Sequence, residues 1–236
     1  MSSSPPIIHS GFKEFSLGEF DNGGDNLYVN SRGEIEIIHR FDVNGDGYVD
    51  LVLPNAHGYD ERGPTTIYKQ KSNGEWDSET LPNDSGYMSR ILDVDGDGFP
   101  DLIVVNGANG VTSELDSYIY WGGPEGLIGE RTELPTAGAY EVVATDLNGN
   151  GQLDLIFPSA WLDHHNPGKP RLLQVYTQIA PRRFLDQSTK YGLTGIAART
   201  IVGEDLNHNG KLDLVVANFR EGFQFDIDSY VYFQIY

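Results

Sequence analysis

Apolar residues along this chain fall into short runs broken by Gly, Asn, Asp and Pro, with few stretches at helical spacing. Short, turn-bounded runs of this kind, rich in β-branched and aromatic residues, read as β-strands. They recur in a fixed order. A β-type stretch (Ile35 to Phe41, Tyr87 to Leu92, Tyr140 to Thr145, Arg199 to Glu204) leads into a polar loop. Out of the loop comes a short apolar strand such as Leu51-Val52-Leu53 or Leu214-Val215-Val216. A third strand follows at Thr66 to Tyr68, Tyr118 to Trp121, Leu173 to Tyr176 and Tyr230 to Phe233. A fourth is read at Trp76 to Leu81, Ile128 to Leu134 and Arg183 to Ser188. The 28 glycines in 236 residues exceed the average usage of about 7% and agree with that many turns.

The polar loops are copies of one another. They run Asp42 to Asp50, Asp93 to Asp101, Asp146 to Asp154 and Asp205 to Asp213, and their first aspartates are separated by 51, 53 and 59 residues. In every copy, positions one, three, five and nine carry a carboxylate or an amide, and position six is glycine. Calcium takes about six to eight oxygen ligands, and an EF-hand loop draws them from positions one, three, five and the carbonyl of seven. Here position twelve is apolar (Leu53, Val104, Phe157, Val216), so the closing ligand expected is the Asp at nine and the loop joins strands rather than helices.

The first copy offers Asp42, Asn44, Asp46 and Asp50 with the Tyr48 carbonyl; the second offers Asp93, Asp95, Asp97 and Asp101 with that of Phe99. The third offers Asp146, Asn148, Asn150 and Asp154 with the Gln152 carbonyl; the fourth offers Asp205, Asn207, Asn209 and Asp213 with that of Lys211. Affinity follows ligand charge, which ranks the second loop first, the first loop next and the other two last. The competing reading is an Asx-rich turn that needs no ion. Four carboxylates in one turn repel each other without a cation, which weighs against that reading most strongly in the second copy.

Four strands in about 50 residues, repeated in tandem, make a propeller blade, and one such sheet must stack on its neighbours to bury both faces. A β-sandwich is the alternative, although its strands need not repeat one loop at a near-constant period. The fold expected is all-β: a β-propeller of about four four-stranded blades with calcium-binding hairpin loops. Residues 1–11 form a flexible N-terminal segment, and 12–236 form one domain with repeats at about 34–85, 86–138, 139–195 and 196–236. The fourth copy ends after its third strand. The stretch Phe12 to Phe20, within 12–33, is expected to supply the missing outer strand and close the ring.

The loop pattern D-x-[DN]-G-[DN]-G-x-x-D-[LI]-[VI] after a β stretch resembles the FG-GAP/VCBS repeats of integrin-α-like propellers. The fourth copy departs from it at His208, and Tyr118 to Leu127 is similar to the third-to-fourth strand turn of bacterial members. The resemblance implies calcium loops that stiffen the blades and an opposite face that binds proteins or glycans. It also implies the settings in which such repeats occur: adhesins, lectins and non-catalytic parts of secreted hydrolases and lyases.

Topology points the same way. If the calcium loops join strands one and two, the longer and more varied loops between strands two and three emerge on the other face. Those loops carry His57, Tyr59, Arg62, Trp161, His164, Arg220 and Phe223, aromatic and hydrogen-bonding groups suited to a glycan or a peptide. Variable surface is the plainer reading of these loops. For the adjacent His164 and His165, a solvated loop is favoured over a metal site, because neighbouring residues in a strand point to opposite sides.

With 16 basic and 35 acidic residues the net charge is −19, and such a field repels a phosphate backbone, so nucleic acid is not an expected partner. There is no cysteine, and no apolar run nears the roughly 18 residues of a membrane span. No nucleophile elbow, His-Glu-x-x-His or phosphate loop is present, so the chain reads as a binding module and not an enzyme. A structural or accessory domain of a larger secreted protein is the second reading, and a polysaccharide hydrolase or lyase the third. The calcium loops lead to an expected secreted or cell-surface location, although the first residues carry neither the basic nor the apolar region of a signal peptide.

Overall fold

The computed structural model describes residues 26–29, 35–41, 43, 44, 46, 48, 50–54, 63–159, 169–219 and 226–234. The first sheet holds β1 (Asn26–Val29), β2 (Ile35–Phe41), β3 (Asp50–Leu53), β4 (Thr65–Gln70) and β5 (Trp76–Leu81). The second holds β6 (Gly86–Leu92), β7 (Asp101–Asn106), β8 (Glu114–Tyr120) and β9 (Arg131–Ala137). In the third, β10 (Val143–Thr145) and β11 (Asp154–Phe157) are followed by β13 (Gln174–Ala180) and β14 (Arg183–Asp186). The fourth holds β16 (Ala198–Glu204), β17 (Asp213–Asn218) and β18 (Tyr230–Tyr232). Each is an antiparallel meander in chain order, and the polar loops lie between β2 and β3, β6 and β7, β10 and β11, and β16 and β17.

Two differences from the four-by-four expectation stand out. The first sheet gains β1, paired with β2 from Asn26↔Ile38 to Val29↔Ile35, so part of the segment 12–33 lies here; residues 12–25 and 30–33 are outside the described residues. The fourth sheet shows three strands among the described residues. A small pair, β12 (Arg171–Leu172) with β15 (Thr194–Gly195), and the one-turn helix α1 (Ser188–Tyr191), which ends at Gly192 with φ +62°, link the third sheet to the fourth.

Alternation along the strands explains the stacking. In β7 every residue is buried, because neighbouring sheets cover both faces. Leu102 and Val104 pack with Val52 and Ile67 of the first sheet, whereas Ile103 and Val105 pack with Leu155 and Phe157 of the third. In β11 the same rule sends Ile156 the other way, to Leu214 and Val216 of the fourth sheet. Each fully buried aliphatic side chain contributes roughly 1.5–3 kcal/mol, so both faces of the middle sheets stabilise the fold. The far face of the fourth sheet is less covered. Val202, Val215 and Val231 stand in one row there, and Val202 and Val231 remain about half exposed, at 54% and 47%. Among the described residues no helix is long and apolar enough to cross a membrane.

Candidate metal centre

One backbone scaffold underlies the loops. In the second, Asp93 Oδ1 accepts the amides of Gly96 (2.8 Å) and Asp97 (3.1 Å), and Oδ2 accepts that of Gly98 (2.9 Å). In the third, Asp146 holds Gly149, Asn150 and Gly151 at 2.7, 3.0 and 2.8 Å. In the fourth, Asp205 holds Asn209 and Gly210 at 3.0 and 2.8 Å. The position-three side chain, Asn44, Asp95, Asn148 or Asn207, always accepts the position-five amide through its Oδ1. Position five in turn accepts the position-seven amide, placing Tyr48, Phe99, Gln152 and Lys211 beside Asp46, Asp97, Asn150 and Asn209. Asp42 lies outside the described residues.

The Asp at position nine has a duty that spacing alone did not reveal. Asp50, Asp101, Asp154 and Asp213 are all fully buried. Their Oδ2 atoms accept the position-two amides of Val43, Val94, Leu147 and Leu206 at 2.8, 2.8, 3.1 and 3.1 Å. Their Oδ1 atoms accept amides within or just past β4, β8, β13 and β18, from Gln70, Gly122, Gln178 and Gln234 at 3.0, 2.8, 2.8 and 3.0 Å. The carboxylate thus ties loop to sheet. Gly122 must be glycine for this, since a Cβ there would lie 2.1 Å from the Pro100 carbonyl oxygen.

Electrostatics sets the second loop apart. Asp93, Asp95 and Asp101 each present a carboxylate oxygen, and these atoms all lie within 4.8 Å of one another, the one such group among the described residues. Burial pushes Asp101 up to about 6. The amides of Gly122 and Val94 pull it back, and the charges of Asp95 and Asp97 raise it further. Repulsion of this kind is what a bound cation removes. Hard carboxylate and carbonyl oxygens suit calcium or magnesium rather than softer transition metals. In the third loop Asp154 is also raised by burial, but Asn148 Nδ2 donates to its Oδ2 at 3.0 Å.

The cluster sits within residues 93–157, which match the family of FG-GAP-like repeats. The repeat is FG-GAP-like. Over an alignment of 87 residues that covers 31% of this chain, it is 33% identical to integrin alpha-V of Gallus gallus. The chain spans only 8% of that relative's length.

The ligand-face residues expected from sequence, His57, Tyr59, Arg62, Trp161, His164, Arg220 and Phe223, lie outside the described residues. At the strand ends on that side the structure assembles a different group. The β6–β7 ladder skips Tyr87, and the β16–β17 ladder skips Arg199. Such bulges re-aim a side chain. Tyr87 meets Tyr140 at 4.2 Å between ring centroids. The Arg199 guanidinium lies 4.4 Å from the Tyr140 ring centroid and 4.5 Å from that of Phe219. A stack therefore runs across three sheets, at the strand ends opposite the Asp-rich loops. A one-residue bulge leaves no periodic mark, so the sequence pattern did not disclose it.

Proposed function

We propose that this chain is a calcium-binding β-propeller module that recognises a protein or glycan ligand at the secreted or cell-surface location of its host. The observation that carries the reading is the convergence of Asp93, Asp95 and Asp101 inside an FG-GAP-like repeat. Asp93, Asp95, Asp97 and Asp101 would hold the tightest ion, with the other loops weaker in proportion to their carboxylates. Stacking of four similar sheets by alternating apolar faces supports a propeller arrangement, with residues 12–25 as candidates for the missing outer strand. The ion would stiffen each strand-one to strand-two hairpin. Recognition would fall to the opposite side, where the stack of Tyr87, Tyr140, Arg199 and Phe219 offers planar apolar surface beside a fixed cation. The likeness to integrin alpha-V favours a protein ligand over catalysis.

Calorimetric calcium titration of chelator-stripped protein, with parallel thermal melts, tests this. One or more ions should bind with a rise in Tm, and Asp93→Asn combined with Asp95→Asn should remove the tightest site. Absence of both heat and Tm shift would mean the loops are turns only, and the calcium and extracellular readings would be withdrawn together.

A further inference from the structure

Arg182 stands at the tip of the β13–β14 hairpin of the third sheet, at φ +61°, and reaches the metal loop of the second. Its Nε donates to Asp95 Oδ2 at 2.5 Å, and its Nη2 donates to Asp97 Oδ2 at 2.8 Å. Trp121, buried at 2% exposure, lies behind the guanidinium, with 5.1 Å from Cζ to its ring centroid. Gln178, also buried, fixes the hairpin. Its Oε1 accepts the Arg182 amide at 3.3 Å, and its Nε2 donates to the carbonyls of Val94 (2.9 Å) and Leu153 (3.3 Å). The amide of the same Gln178 is bound by Asp154, so one residue joins the third loop's closing carboxylate to the second loop.

We propose that Arg182 is a resident counter-cation of the second loop: it offsets part of the charge of Asp95 and Asp97 in the metal-free protein and thereby limits the loop's affinity for calcium. This rests on the calcium reading above. The second loop carries four carboxylates, Asp93, Asp95, Asp97 and Asp101, one more than the first loop with Asp42, Asp46 and Asp50. A guanidinium stays protonated at any physiological pH, so it cannot step aside by losing its charge. An arriving ion must share Asp95 and Asp97 with it and meets its repulsion. The third and fourth loops have an internal alternative. Their position-five amides, Asn150 Nδ2 and Asn209 Nδ2, donate to the carbonyls of Gln178 and Gln234, each at 3.1 Å. Asp97 has no proton to give in that way, and a cation takes over.

The test compares the full chain, chelator-stripped, with Arg182→Gln and Arg182→Lys by calcium calorimetry and by melts with and without calcium. In Arg182→Gln calcium should bind roughly tenfold tighter, the scale of one unit charge removed from a largely solvated loop a few ångströms away. The metal-free Tm should fall, so the gap between the two melts widens. Arg182→Lys, which keeps the charge, should stay near wild-type affinity. If wild type binds calcium and Arg182→Gln binds no tighter, the counter-cation role is overturned while the calcium reading stands. If neither protein binds calcium, both fall.

Discussion

The second and third loops share a backbone and differ in how they satisfy it. Asp93 and Asp146 hold equivalent amides at distances that agree within 0.1 Å, and Asp101 and Asp154 tie their loops to their sheets through equivalent bonds. At positions three and five the chemistry diverges. Asn148 and Asn150 donate N–H groups, to Asp154 and to the Gln178 carbonyl. Asp95 and Asp97 donate nothing, and Arg182 meets them from the neighbouring sheet. The loop therefore has two electrostatic solutions, one closed by amides and one closed by cations. Exchange of a carboxylate for an amide is more than a loss of ligand; it supplies a proton donor where the other loop needs positive charge.

The largest expected effect tests the shared half of that comparison. Asp101→Ala and Asp154→Ala each leave two buried amides without an acceptor, at about 1–3 kcal/mol apiece. Both variants should lose about 2–5 kcal/mol in urea unfolding of the chelator-stripped protein. A cheap Asp101→Ala beside a costly Asp154→Ala would mean that the two loops do not rest on the same scaffold.

Next in size is the half that differs. Asp95→Asn with Asp97→Asn should give the second loop the chemistry of the third. Stabilisation by calcium at a hundredfold excess over Kd, about 2.7 kcal/mol for a single site, should then largely vanish. The reciprocal pair, Asn148→Asp with Asn150→Asp, should create calcium-dependent stability in the third loop and lower its metal-free Tm. If the second-loop double variant keeps its full calcium increment, the ion sits elsewhere.

These contrasts also mark what the chain discloses by itself. Asp at position one and glycine at position six act on amides within five residues, so local spacing reveals them. The strands announced themselves as short apolar runs between turn residues, as in Leu102 to Val105, whose successive side chains enter two different apolar clusters. The loop's outer partners are far away in sequence. Arg182 lies 87 positions from Asp95, and Gln178 lies 84 from Val94. An arginine and a glutamine in a strand and turn carry no mark of such a role until the sheets are stacked. The same holds for β1, whose short apolar run (Leu27, Tyr28, Val29) has no partner defined by the repeat.

The smallest effect extends the comparison to the fourth loop. Position four adopts a left-handed backbone in each case, with Gly96 at φ +77°, Gly149 at +75° and His208 at +59°. Left-handed backbone costs an L-residue roughly 1–2 kcal/mol, whereas glycine adopts it freely. Glycine also loses more entropy on folding, which takes back part of the gain. His208→Gly should therefore raise stability by only about 0.5–1 kcal/mol, or a Tm increase of roughly 1–4 °C for a domain of this size. Gly149→Ala should move the third loop the opposite way, because no heavy atom lies within 4 Å of a Cβ there and the penalty is conformational alone. His208 is exposed, so His208→Ala, which keeps the strain, should leave Tm unchanged. A rise in His208→Ala equal to that in His208→Gly would trace the gain to removal of the imidazole and deny the fourth loop the backbone shared by the second and third.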